Sequence, residues 1–297
     1  VGAACAAGKM MGLNQIQMAN AISLSLAPNL PLRVTRTGEL SMWKGCATAS
    51  ATRAAIFAAQ LASDGMTGPG EPFDGPSGLC QLALAGQSIT PDVMGGDNEP
   101  FRIINTTVKN YPSQIHTQSP IGLALELQPK LNTADIKSIT IHTYSNAVST
   151  PSDAPEKWAP KTRESADHSI PFTVAAALRD GQVTPNTFTD SSIRDTTIAE
   201  IIEKITLKED PSFTSRYSDE YNCHMEITTH SGESLVAKTS FPKGHKNNPL
   251  DDGELDEKFC KLAIPTLTEE QCKQALTLLW DSENLPNLDG LFDSLVV

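Results

Sequence analysis

Positive charge is in short supply: 23 lysines and arginines face 35 aspartates and glutamates, for a formal net charge of −12. A chain so acidic repels a phosphate backbone, which weighs against nucleic acid and anionic membranes as partners. Cysteine is sparse and scattered. The six residues Cys5, Cys46, Cys80, Cys223, Cys260 and Cys272 show no Cys-x-x-Cys and no secreted-type framework, so a reduced compartment is the natural reading. The same scatter offers no local zinc or iron–sulfur signature, and no metal is expected. No apolar run approaches the roughly twenty residues that span a bilayer. Phosphate-binding and nucleophile motifs are missing as well. Gly68-Pro69-Gly70 and Gly95-Gly96 lack the flanking residues of a phosphate cradle and read as turns, and no Gly-x-Ser-x-Gly elbow supports a serine hydrolase. The opening residues, Val1-Gly2-Ala3-Ala4-Cys5, have neither an initiator Met nor a basic-then-apolar leader. They read as the middle of a helix, with targeting information out of view.

What remains is a globular composition, 39% hydrophobic and 20% charged over 297 residues, enough for one large domain or two ordinary ones. Residues 1 to about 90 recur in Ala, Gly, Met and Leu at three- and four-residue spacings, the signature of helices. Asn14 is placed to cap one helix through Leu26, closed by Pro28, and a second is predicted from Ser41 to Ala62, ended by Gly65. From 101 to 242 β-branched alternation appears: Ile136 to Tyr144 reads as a half-buried strand, and Cys223–Thr229 with Leu235–Thr239 as a hairpin around Ser231-Gly232-Glu233. Helices are predicted in the same region at Ser119–Leu127, His168–Leu178 and Thr197–Ile205. After Pro242 the pattern is helical again, with Asp251–Ala263, then a start signal at Thr268-Glu269-Glu270-Gln271, then a short terminal helix. The layout predicts an α+β protein. A helical domain (1–103 and 243–297) carries an inserted α/β module (104–242), with a cleft where the modules meet.

Three segments could carry chemistry. In Arg36-Thr37-Gly38-Glu39-Leu40-Ser41-Met42-Trp43-Lys44-Gly45, a lysine enters an Ala-rich helix. If buried, its charge needs a partner or an anionic ligand; otherwise Lys44 lies on a solvated face near the helix start. In Lys109-Asn110-Tyr111-Pro112-Ser113-Gln114-Ile115-His116, polar groups gather at a helix entrance, where free N–H groups suit a carboxylate; the plainer alternative is a capping loop with a satisfied His116. In Lys161-Thr162-Arg163-Glu164-Ser165-Ala166-Asp167-His168, Asp167 could orient His168 for acid–base work or could simply cap the next helix.

Taken in order, the Arg36–Gly45 segment with Gly65-Met66-Thr67-Gly68-Pro69, the Tyr111…His116 segment, and Pro155-Glu156-Lys157-Trp158…Lys161-Thr162-Arg163-Glu164…Asp167-His168-Ser169 closely resemble the MmgE/PrpD family over nearly the whole chain. The resemblance implies a large all-helical domain, its N-terminal part absent here, with a smaller α/β lid inserted and the active site between them. It implies enzymes that act on small di- or tricarboxylates without metal or cofactor: 2-methylcitrate dehydratase, cis-aconitate decarboxylase, iminodisuccinate epimerase. By the same resemblance Lys44 and Lys109 are active-site lysines that clamp substrate carboxylates, with His116 and His168 as catalytic histidines and Arg36, Gln114, Lys161 and Arg163 as substrate-binding residues. Gln114 stands where decarboxylases carry a histidine, whereas dehydratase-like members keep theirs at His116, which favours dehydration. A family tyrosine is replaced by Phe172.

The expected activity is therefore a metal-independent hydro-lyase of propionate catabolism acting on a 2-methylcitrate-like acid. The alternatives are a decarboxylase, an epimerase, or an inactive scaffold that keeps the fold. Dehydration requires a base, an acid and cations beside the carboxylate where charge builds. The resemblance places the base upstream of Val1, so that the chain by itself is expected to turn over little. A homodimer is expected, in the cytoplasm or in a mitochondrial matrix.

Overall fold

The computed structural model describes residues 1–30, 32–90, 95–96, 98–150 and 154–297. The chain divides into two compact units, Val1–Arg102 and Ile103–Val297.

The first unit is built on α1 (Gly2–Met10), α2 (Gln15–Leu26) and α3 (Trp43–Ser63). Asn14 starts α2 as its side chain predicts. Its carboxamide oxygen accepts from the Gln17 N–H at 3.0 Å and Gln17 returns the bond at 3.0 Å, satisfying two donors that the helix itself cannot. In α3 the buried residues are Ala55, Ala58, Ala59 and Ala62, one stripe at helical spacing. Ala59 and Ala62 form with Ala21 of α2 a core of methyl groups that lets helix axes come close. Gly65, at φ +91°, follows the end of α3 in a conformation that β-carbons disfavour. The turn at Gly68 lies on α2: an added Cβ would sit 2.7 Å from the Ser23 Cβ, and the Ser23 hydroxyl donates to the Pro69 carbonyl at 2.7 Å.

The second unit contains a four-stranded sheet of order β2-β1-β3-β4, from β1 (Ile136–Thr143), β2 (Ile205–Glu209), β3 (Cys223–Thr229) and β4 (Ser234–Thr239). β1 pairs parallel with β2 and antiparallel with β3, and β3 with β4 forms the hairpin read from the sequence, with Gly232 at φ +91° in the turn. Inward residues Ile139, Ile141, Met225 and Ile227 alternate with half-exposed Thr140, His142, His224 and Glu226. The inward set packs with helices α4 (Gln118–Leu127), α5 (Ile170–Asp180) and α6 (Thr196–Ile202) in one core that also takes in Phe172, Leu178 and Phe188. Each fully buried aliphatic side chain contributes about 1.5–3 kcal/mol of burial.

The predicted helix Thr197–Ile205 is overturned at its end. Helix α6 stops at Ile202, and Ile205 opens the edge strand β2, paired with Ile139 of β1. A five-residue edge strand gains its hydrogen bonds from a strand some sixty positions earlier, which local spacing does not show. Beyond the sheet come α7 (Asp252–Ala263), α8 (Glu269–Trp280) and α9 (Asp289–Ser294). Asp251 with Glu254, and Thr268 with Gln271, form capping boxes at the first two. These helices fall within the second unit. Among the described residues no helix is long and apolar enough to cross a membrane.

Candidate functional site

Two of the three polar segments meet inside the second unit. The Gln114 N–H donates to the Asp167 carbonyl at 3.0 Å, and the Ser113 hydroxyl donates to the same oxygen at 2.8 Å. Two helix entrances are thereby fastened together: that of α4 through residues 109–118 and that of α5 through residues 161–169. Buried Gln118 stiffens the first, accepting from the Tyr111 N–H at 3.0 Å and donating to the Tyr111 carbonyl at 3.1 Å.

Asp167 does not cap α5. That role belongs to Ser169, whose hydroxyl oxygen accepts from the Phe172 N–H at 3.0 Å. Its carboxylate instead makes a short contact with Nδ1 of His168, both side chains being mostly buried. A carboxylate on Nδ1 fixes the tautomer that leaves Nε2 for proton transfer. Lys161 and Arg163 lie exposed on the approach to this pair, and Thr162 caps the one-turn helix Arg163–Ala166 by accepting from the Ser165 N–H at 3.2 Å.

Lys109 is exposed, and its ammonium donates to the Ser113 carbonyl at 2.8 Å. The Gln114 side chain accepts from the His116 N–H at 2.6 Å, so it serves as a local cap. His116 itself points inward. At 8% exposure its Nδ1 shares a 2.7 Å hydrogen bond with the Tyr144 hydroxyl, and the rings of Tyr144, Tyr217 and Tyr221 surround it at 5.5, 5.9 and 6.5 Å. Burial lowers its pKa to about 4. A neutral imidazole so reluctant to take a proton is a weak base near pH 7. The environment is that of the satisfied core histidine named as the alternative above.

Arg36 and Lys44 belong to the first unit. Arg36 ends an exposed 3-10 turn, Arg33–Arg36, and Lys44, second residue of α3, is half-buried beside exposed Trp43 and Gly45. The alanine-lined burial expected around Lys44 begins only at Ala55, three turns further on, because the stripe that packs on α2 is confined to the C-terminal half of α3.

Sequence reasoning gave no role to the tyrosine box or to Lys157, which is 5% exposed on the turn Pro155–Trp158 and whose carbonyl accepts from the Ser169 hydroxyl. The spacing of Tyr217 and Tyr221, one helical turn apart, is the one local hint of the former. A buried lysine within a polar loop leaves none.

The second unit thus joins two polar helix entrances at Asp167, whose carboxylate pairs with the His168 ring. Residues 111–282 match the MmgE/PrpD C-terminal domain and residues 1–92 the MmgE/PrpD N-terminal domain, so this chain belongs to the MmgE/PrpD family. The expectation that only the C-terminal part of the family is represented is corrected by the second match.

The chain is 28% identical over 287 residues to the 2-methylcitrate dehydratase of Salmonella typhi, covering 89% of this chain and 56% of that protein. The 2-methylcitrate dehydratase of Escherichia coli K12 is 28% identical over 225 residues, covering 71% of this chain and 44% of the relative. Human cis-aconitate decarboxylase is 21% identical over 296 residues, covering 98% and 60%. The chain spans about half the length of the curated relatives it matches.

Proposed function

We propose that this chain is part of a metal-independent hydro-lyase that dehydrates a small polycarboxylic acid of the 2-methylcitrate type, as the names of several relatives suggest. The observation that carries the reading is the fastening of the Lys109 segment to the Asp167–His168 pair through Ser113 and Gln114. One junction then offers a cation for a carboxylate and an oriented imidazole for a proton.

Dehydration breaks the C–H bond α to a carboxylate, forms the double bond, and releases the β-hydroxyl as water once an acid protonates it. Cations next to the carboxylate stabilise the charge that builds there. In this reading Lys109, Arg163 and Lys161 bind carboxylates and His168 transfers a proton, while Arg36 and Lys44 keep the substrate-binding roles that the resemblance implies for them. His116, neutral and buried, supports the Lys109 loop from behind through Tyr144 and does not itself titrate during turnover. Gln114, taken up as a cap, supplies no imidazole where the resemblance gives decarboxylases one, which supports dehydration over decarboxylation.

The remaining assignments belong to the same proposal: residues 243–297 as part of the helical domain, residues 104–242 as a lid, and a cytoplasmic or mitochondrial-matrix homodimer. Large apolar side chains exposed on the first unit, such as Met10, Ile16, Trp43 and Phe57, support pairing through the helical domain.

The test is incubation of the chain with 2-methylcitrate and, separately, cis-aconitate, followed by proton NMR and calorimetry. An unsaturated acid that keeps all its carboxylates supports the reading, as does saturable binding of 2-methylcitrate without turnover. His168→Asn should lower any turnover by about two to four orders of magnitude. Carbon dioxide released from cis-aconitate shifts the assignment to decarboxylation, and binding of neither acid sinks it.

A further inference from the structure

The polar segment at Lys109 has a neighbour far along the chain. The Val108 N–H donates to the Gly244 carbonyl at 2.9 Å, and Gly244, at φ +88°, is packed so tightly that an added Cβ would lie 1.8 Å from the Val108 carbonyl oxygen. Only glycine permits that approach. The next contact leads onto α7: Lys243 forms an ion pair with Glu254 at 2.7 Å, in the first turn of that helix. Lys258 sits one turn beyond Glu254 on the same helix face. The Lys109 segment, the Lys243–Gly244 turn and this face of α7 therefore lie side by side.

Here two lysine side chains come near enough to interact electrostatically. Lys258 is half-buried, and its pKa is held below the ordinary lysine range by that burial and by repulsion from Lys109. Among the described residues, neither lysine has a carboxylate partner; Lys109 reaches only the Ser113 carbonyl, and the nearby Glu254 is taken by Lys243 and by the Asp251 N–H. Two like charges set near one another, one of them half-buried, repel, and an anion placed between them relieves that repulsion.

We propose that Lys109 and Lys258 close together on one carboxylate of the acid, which makes Lys258 a substrate-binding residue supplied by the helical segment after the sheet. The inference rests on the polycarboxylate reading above and adds a residue to it. A carboxylate between two ammonium groups accepts a charge-assisted hydrogen bond from each and relieves their repulsion. A substrate so held bridges the segment before the sheet and the segment after it.

The experiment is NMR of the full chain with its lysines reductively methylated with carbon-13, resonances being assigned from single Lys→Arg variants. The Lys258 resonance should titrate below those of exposed lysines, and its midpoint should rise in Lys109→Gln. Citrate should shift both resonances saturably, and Lys258→Gln or Lys109→Gln should each weaken its binding by about tenfold or more. Lys261→Gln, which loses only an exposed pair with Glu257, should leave binding unchanged. A Lys258 midpoint indifferent to Lys109→Gln overturns the inference. So does citrate binding that Lys109→Gln weakens and Lys258→Gln does not, while the polycarboxylate reading survives. Shifts produced by sulfate but by neither citrate nor 2-methylcitrate overturn both.

Discussion

The two units bury different things. Among the described residues, the buried apolar side chains of the first unit are nearly all alanine, joined by Leu40 and Cys80; in the second, buried alanines are accompanied by many isoleucines and leucines, by aromatics and by a methionine, in a core against one face of a sheet. A buried methyl removes little surface from water, whereas a buried isoleucine or phenylalanine removes a great deal. The first unit accordingly gains close backbone approach and leaves Met10, Ile16, Leu32, Met42 and Phe57 in solvent, while the second closes a core that can hold polar loops at fixed spacing. Precise positioning of a proton-transfer group needs the second kind of support.

Core truncation should separate the two units most sharply. Ile141→Ala, at a fully buried position of β1, is expected to cost about 3–4 kcal/mol, read as faster hydrogen exchange throughout β1, β3 and α5. Equal loss of protection in α2 and α3 would show that the two units do not differ as described.

The His116 pocket sharpens the comparison through pH. Burial holds this ring at about 4 against an ordinary 6.5, so the unfolded chain takes up the proton first as pH falls. The stability present above pH 6.5 should therefore drain away between 6.5 and 4, by about 3 kcal/mol for this group. Urea midpoints across that window should fall less steeply in His116→Gln than in the parent chain. Parallel slopes would place the histidine in water.

The smallest effect belongs to the first unit. Ala59→Leu forces a branched side chain into the methyl seam with Ala21 and should cost roughly 1–3 kcal/mol, confined to exchange in α2 and α3. A neutral result would mean that the seam has room, and that small residues there are not required for contact.

Much of this molecule is legible locally. The Asn14 and Thr268 caps, the alternation of β1 and the hairpin at Gly232 each depend on residues within a few positions of one another. The short polar segments at 109–116 and 161–168 could be singled out because charged and hydroxyl residues gather before helices, yet their joining at Asp167 could not, since it spans more than fifty positions. For Lys44 the sequence left burial and a solvated face both open, and the residue is half-buried because only one half of α3 has a helix to pack on. Lys258 was invisible for a related reason, because a lysine on a charged amphipathic helix reads as solvated until its neighbours are known.

By itself the sequence determined where the capped helices and the alternating strands lie, which residues alternate toward a core, and to which family the motifs belong, because backbone geometry and capping act over a few residues. Tertiary structure alone decided that Ile205 enters a strand, that His116 faces three tyrosines, and that Lys109 acts electrostatically on Lys258. Burial and charge repulsion depend on what surrounds a group in space, and those surroundings are assembled from segments far apart in the chain.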